Sequence, residues 1–178
     1  MIKVKFYKNK YFLLLLLFLL MLIDGQLSFL ASSMFSYHLV ISSHLLLLAV
    51  LYFYHDKNKY FVVISSIVLG GIFDIYYLNR IGLVIFLLPI IIIFTRNIGK
   101  NFFVSIFQML IFYIIVLFLF EIIGELGAII LGMTTISMTH FITYCFGPSL
   151  IYNTFMYLLF QKLFKKTFLE ESDYLNKI

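Results

Sequence analysis

Long apolar runs, separated only by short polar breaks, fill almost the whole sequence. Of the 178 residues, 63% are hydrophobic and only 12% are charged, and the mean hydropathy is +1.09. A water-soluble domain of this size does not carry so many apolar side chains. The sequence therefore predicts an all-α integral membrane protein that leaves no room for a separate soluble domain.

Six of these runs predict helices in a single polytopic membrane domain over residues 1–178. We expect the helices at about 11–30, 38–54, 60–77, 82–94, 102–123 and 141–164. The run at 82–94 is short for a membrane span, which needs about 20 residues, and it contains Pro89. We therefore expect it to be kinked or partly re-entrant. The less apolar residues 124–140 are expected to lie on the membrane surface or to re-enter the membrane.

The basic residues predict the orientation of the chain. With six spans and an internal N-terminus, twelve of the thirteen Lys and Arg residues fall on the cytoplasmic side, and only Arg80 falls outside. We therefore expect both termini in the cytoplasm and a multi-pass membrane protein. The net charge of +5 is a topology signal, and no nucleic-acid partner is predicted. The first run is long enough to span the membrane, so we expect it to be retained rather than cleaved as a signal peptide.

Small and polar residues form one row in the third run. Ser66, Gly70 and Asp74 repeat every four residues, and Tyr77 continues the row, so these residues share one face of a helix. A carboxylate inside a membrane-length helix costs roughly 2.5–3.5 kcal/mol on insertion scales. Asp74 therefore needs a compensating contact, and so does Asp24 in the first run.

Three roles are open for Asp24 and Asp74. They could cap helix ends near the membrane interface, belong to a polar cluster that a partner protein contacts, or carry protons or ions. Both lie roughly 20 Å along their helices toward the outer leaflet, where Glu121 and Glu125 are also expected. Small residues at four-residue spacing, in the third run and over 124–132, allow either packing within the bundle or docking of a partner's transmembrane helix.

Residues with catalytic or metal-binding chemistry are few and scattered. His38 and His44 are six residues apart on the second helix, so they do not share a face, and His55 and His140 lie elsewhere. Metal-binding, nucleophile and phosphate-loop motifs are absent from the sequence. The single cysteine, Cys145, cannot form an intramolecular disulfide and is interpreted as a small core residue. We predict no enzymatic activity, no cofactor and no metal site.

Taken together, these features resemble the MreD family of bacterial rod shape-determining proteins, of the Gram-positive type. The resemblance rests on size, hydrophobicity, a lysine-bearing N-terminus and three motifs, namely Asp24-Gly25-Gln26, Leu69-Gly70-Gly71-Ile72-Phe73-Asp74-Ile75-Tyr76-Tyr77, and Ile81-Gly82 followed by Leu87-Leu88-Pro89. The family gives none of the matching positions a catalytic role. The resemblance and the helix faces together predict these structural or partner-interface residues: Asp24, Ser66, Gly70, Gly71, Asp74, Tyr77 and Gly82.

The resemblance implies a non-enzymatic scaffold of the cell-elongation machinery, the elongasome, that regulates cell shape. Its expected partners are MreC, which has one transmembrane helix and an extracytoplasmic domain, and, in peptidoglycan synthesis, RodA and a class B penicillin-binding protein. The implied fold has six transmembrane helices and is similar to the substrate-binding subunits of energy-coupling-factor transporters. Because size and helix count fit those subunits equally well, a vitamin-binding transporter subunit is the alternative function.

Overall fold

The computed structural model describes residues 10–53, 58–99 and 105–168, and this part of the chain is almost entirely helical. In chain order the helices are α1 Lys10–Met34, α2 Leu45–Phe53, α3 Lys59–Leu78, α4 Val84–Gly99, α5 Ile106–Ile130 and α6 138–168. One wider π-helical turn ends α3 at Asp74–Leu78, and another lies near the start of α6 at Ile142–Phe146. The predicted all-helical class with six helices is confirmed for the described residues.

Three helices of the described part are long and apolar enough to cross a membrane, namely α1 over Tyr11–Met34, α3 and α5. The helix α4 is apolar but shorter, and its 16 residues extend about 24 Å, which is less than the ~30 Å hydrocarbon core of a bilayer. Large apolar side chains are exposed along these helices, as a lipid environment requires. The protein is therefore a membrane protein.

The helix α2 lies at the centre of the bundle. Every residue from Leu45 to Tyr52 is buried. A helix that is apolar on all sides needs neighbours on all sides, and α2 packs against α1, α4 and α6. The position of α2 therefore depends on how the chain enters it from α1.

The segment that leads into α2 differs from the predicted one. The sequence predicts the second helix from residue 38, but residues 40–44 form neither helix nor strand, and α2 begins only at Leu45. Polar side chains hydrogen-bond the backbone of this segment and replace the bonds that a helix would make. An apolar run alone does not reveal such an alternative, because the partners lie on other helices.

The fourth and fifth helices both end later in the chain than the sequence predicts. The fifth helix continues to Ile130, so only residues 131–137 form the connection that the sequence predicts at 124–140. Gly132, with φ of +65°, lies just beyond the end of that helix, in a conformation that favours glycine. The fourth helix continues through Pro89 to Gly99 rather than ending near residue 94.

Candidate functional site

Asp74 caps the helix that follows its own. It begins the π-helical turn of α3 and is 0% exposed. Its Oδ1 accepts a hydrogen bond from the N–H of Val84 at 2.8 Å, and its Oδ2 accepts from Gly82 at 2.9 Å, Leu83 at 3.1 Å and Ile85 at 3.2 Å. The first N–H groups of a helix have no partner within that helix. The carboxylate therefore satisfies the N-terminus of α4 inside the protein.

The turn between α3 and α4 brings those N–H groups to the carboxylate. Asn79, in the left-handed conformation with φ of +50°, ends α3. Gly82 has φ of +133°, a backbone conformation that side chains rarely allow. A Cβ on Gly82 would meet no atom within 4 Å, so the backbone conformation rather than space favours glycine here.

Gly70 lets the backbones of α3 and α4 touch one turn before the cap. A Cβ on Gly70 would lie 2.6 Å from the carbonyl oxygen of Val84 and 2.8 Å from the Cα of Ile85. Ser66 continues this contact face, where it is buried and donates to the carbonyl of Val63 at 2.8 Å. Gly70 and the capping carboxylate therefore contact α4 of the same chain, and Ser66 is buried one turn before them on the same helix face.

Asp24 caps α2 in the same manner. It lies in α1 and is buried, and its Oδ1 accepts from the N–H of Leu45 at 2.8 Å and from the hydroxyl of Ser43. Its Oδ2 accepts from the N–H of Leu46 at 2.6 Å. Two acids on α1 and α3 thus stabilise the N-termini of the helices that follow them.

Residues 40–44, here called the strap, are bonded to α1 through serine side chains. The N–H of Ile41 donates to Ser32 Oγ at 2.9 Å, and the N–H of Ser43 donates to Ser28 Oγ at 2.8 Å. These two serines follow the capping carboxylate of α1 at four-residue spacing, so they form one row on that helix. This row holds one side of the strap.

The other side of the strap is bonded to α6. The N–H of Ser42 donates to Ser149 Oγ at 2.9 Å, and the N–H of His44 donates to Asn153 Oδ1 at 2.7 Å. The Asn153 side chain donates in return to the carbonyl of Ser42 at 2.7 Å. Hydrogen bonds to side chains of α1 and α6 thus take the place of the helical hydrogen bonds that this segment does not form.

A hydrogen-bonded histidine–glutamate pair joins the strap to α5. His44 Nε2 lies 2.7 Å from Glu121 Oε1, and both side chains are mostly buried. The hydroxyl of Tyr113 donates to the carbonyl of His44 at 3.2 Å. One turn further along α5, Glu125 Oε1 is buried and accepts no hydrogen bond from any described residue. The helices α1, α3 and α5 end on the same side of the bundle. We call this side the acid-bearing end.

Tyr77 ties α3 to α1 at this end. Its hydroxyl donates to the carbonyl of Met21 at 3.2 Å. The ring lies over Gly25, where a Cβ would come within 2.1 Å of the tyrosine hydroxyl oxygen. The Asp24-Gly25-Gln26 interruption therefore does not break α1, because its glycine makes room for this ring.

The structure joins some of the predicted site residues and separates others. Gly70, Asp74 and Gly82 meet at the contact of α3 with α4, whereas Asp24 of α1 bonds to the strap and to the start of α2. Ser66 is buried on the same face of α3 as Gly70. Gly71 is half-buried beside Ile85.

The strap itself is not predicted from the sequence. The signal that could have found it is a pair of four-residue repeats, which are Asp24, Ser28 and Ser32 on α1 and Ser149 and Asn153 on α6. Each repeat places its polar side chains on one helix face, as a shared buried partner requires.

Removing the hydroxyl of Ser149 tests the strap. We expect Ser149→Ala to lower the free energy of unfolding by about 1–2 kcal/mol, because the N–H of Ser42 would be left buried without a partner. Amide hydrogen exchange, followed by mass spectrometry of peptides over 40–46, should show faster exchange. The control is Ser33→Ala, since Ser33 is bonded only locally to Leu30. Equal protection of the strap in Ser149→Ala and wild type would contradict this role.

Comparison with known proteins identifies the family. The family model for the rod shape-determining protein MreD matches residues 7–169. The cell shape-determining protein MreD of Streptococcus pneumoniae is 30% identical over 107 residues, which are 60% of this chain and 65% of that relative. The match thus spans just under two thirds of the relative's length. No solved structure was found to match the chain. Since the family match extends over most of the sequence, the chain belongs to the MreD family of rod shape-determining proteins.

Proposed function

We propose that this chain is a non-enzymatic membrane scaffold of the machinery that elongates the cell wall, and that it regulates cell shape by binding MreC. Membership of the MreD family carries the proposal, and the streptococcal relative is also named for cell shape. In this proposal the chain crosses the plasma membrane several times and has both termini in the cytoplasm. It acts together with RodA and a class B penicillin-binding protein. Family membership favours this function over the vitamin-binding alternative.

The buried polar residues support a scaffold because their hydrogen bonds fix the chain's own helices. The face of α3 that carries Ser66, Gly70 and Asp74 is covered by α4. This coverage favours packing within the bundle over docking of a partner's helix on this face, which the sequence left open. A surface for MreC must therefore lie elsewhere on the bundle.

We place that surface on the opposite side of α3, which packs mainly against α4 on its buried side. Ile64, Val68 and Ile75 are 62%, 43% and 60% exposed. Spacings of four and seven residues place these three side chains on one face, here called the α3 stripe. An exposed apolar stripe on a membrane-length helix is a surface on which a partner's transmembrane helix can pack.

A bulky residue on the α3 stripe tests the proposal. We expect Val68→Trp to reduce the amount of MreC that co-purifies by about tenfold or more, because an indole ring would keep the two helices apart. Membrane insertion and helix content should not change, since Val68 contacts no tightly packed neighbour on its exposed side. The measurement is quantitative immunoblotting of MreC after purification of the tagged chain.

The matched control is Leu19→Trp on α1, where the side chain is exposed to a similar degree, at 46%. It should leave MreC binding at the wild-type level. Wild-type recovery of MreC with Val68→Trp, or equal loss with both variants, would exclude the α3 stripe as the interface.

A further inference from the structure

A groove lies at the acid-bearing end, between the turn that follows α3 and the turn that follows α5. Its volume is about 350 Å³, and one cationic and four apolar side chains line it: Arg80, Ile81, Leu83, Leu131 and Met133. This volume is at the small end of ligand pockets, which suits a headgroup rather than a whole drug-sized molecule. Because α3 and α5 are both membrane-length helices that end here, the groove lies where a lipid headgroup region would begin.

Arg80 supplies the charge in this groove. Its guanidinium makes one long hydrogen bond within the described part of the chain, from Nη1 to the carbonyl of Leu131 at 3.4 Å. Asp74 caps α4 and Glu121 pairs with His44, whereas the buried Oε1 of Glu125 accepts no hydrogen bond from the residues described. Among the described residues, none of these three acids forms an ion pair with Arg80. A guanidinium has five N–H donors in a planar fork that fits a phosphate. Most of these donors are therefore available to an anion.

The four apolar side chains favour an anion that carries an acyl chain over a free phosphate. A free phosphate would gain nothing from Leu83 or Met133, whereas an acyl chain would be removed from water by contact with them. We propose that this groove binds the phosphate headgroup of an anionic membrane lipid. Arg80 holds the phosphate, and the apolar side chains contact the glycerol backbone and the first carbons of an acyl chain.

Native mass spectrometry of the detergent-purified full chain tests the proposal with three probes. Phosphatidylglycerol carries phosphate and acyl chains, diacylglycerol carries only the chains, and glycerol 3-phosphate carries only the phosphate. We expect the wild type to retain phosphatidylglycerol and neither of the others. Arg80→Gln should bind phosphatidylglycerol about tenfold more weakly, because the charge-assisted hydrogen bonds are lost.

Two further variants make the test decisive. Ile81→Glu adds a negative charge beside the groove at a side chain that is 67% exposed, so the fold should persist and phosphatidylglycerol binding should fall. Lys162→Gln removes an exposed cation from the opposite end of α6 and should bind the lipid like wild type.

Unchanged lipid binding in Arg80→Gln and Ile81→Glu, or an equal loss in Lys162→Gln, would overturn the site. Equal binding of glycerol 3-phosphate would overturn the role of the acyl chain. Loss of co-purifying MreC from Arg80→Gln with lipid binding unchanged would assign the groove to a protein instead.

Discussion

Asp74→Asn is expected to lower the free energy of unfolding by about 3–5 kcal/mol. The side chain keeps its size, so the packing around it does not change. The amide has only one oxygen to accept hydrogen bonds, whereas the carboxylate accepts four from backbone N–H groups. With the amide oxygen in the place of Oδ2, the NH₂ group would face the N–H of Val84, which would be left buried without an acceptor. The other three N–H groups would lose their hydrogen bonds to a charged oxygen.

Because the chain contains no tryptophan, unfolding is best followed by the loss of helical circular dichroism in detergent micelles. The matched control is Glu125→Gln, which makes the same chemical change at the same end of the bundle. Glu125 Oε1 has no hydrogen-bond partner among the described residues, so this variant should be as stable as wild type or slightly more stable. Equal effects of the two substitutions would show that Asp74 does not stabilise α4 as a cap.

Gly70→Ala is expected to cost about 2–3 kcal/mol, although alanine is normally the better helix former. The added Cβ would lie 2.6 Å from the carbonyl oxygen of Val84 and 2.8 Å from the Cα of Ile85. Both are backbone atoms, so neither can move without shifting α4. That shift would also pull the N–H groups of α4 away from the Asp74 carboxylate.

The neighbouring glycine provides the control for this substitution. In Gly71→Ala the new Cβ would lie 3.4 Å from the Cδ1 atom of Ile85, which is the end of a flexible side chain. We expect this variant to unfold within about 1 kcal/mol of wild type, with the helix propensity of alanine offsetting a small shift. If both alanine variants unfold alike, α3 and α4 do not meet through their backbones at Gly70.

The contact face of α3 could be predicted from the sequence, but not what covers it. Four-residue spacing places Ser66, Gly70 and Asp74 together, and they do share one buried face. A row of small residues is equally suited to a helix of the same chain and to a partner's helix, so the pattern does not distinguish them. Capping was one of three roles open for Asp74, and its four bonds from backbone N–H groups support that role.

The strap could not be predicted because its partners are distant in sequence. Ser42, Ser43 and His44 lie beside a long apolar run, where local periodicity favours a helix. The backbone groups of Ser42 and His44 bond to residues more than 100 positions away, at Ser149 and Asn153. Only the folded arrangement of α1 and α6 makes the non-helical conformation the better one.

The glycines of α5 are another case in which the local sequence pattern does not predict the helix end. Gly124 and Gly127 suggest the end of a helix, yet α5 continues through both. A Cβ on Gly127 would lie 2.5 Å from the Cδ1 atom of Leu83, and one on Gly124 would lie 3.6 Å from the Cδ2 atom of Leu87. These glycines therefore allow α4 and α5 to pack closely, which a glycine-rich sequence does not reveal by itself.

Photocrosslinking in cells tests most directly whether MreC meets the outward side of α3. A photoreactive phenylalanine analogue would replace Ile64, Val68 or Ile75 on the α3 stripe, and Leu15 or Leu19 on the exposed side of α1, in a chain produced together with MreC. We predict a crosslinked product with MreC from the three α3 positions and none from the two α1 positions. Crosslinks from α1 alone, or none from α3 while MreC still co-purifies, would contradict the proposed interface.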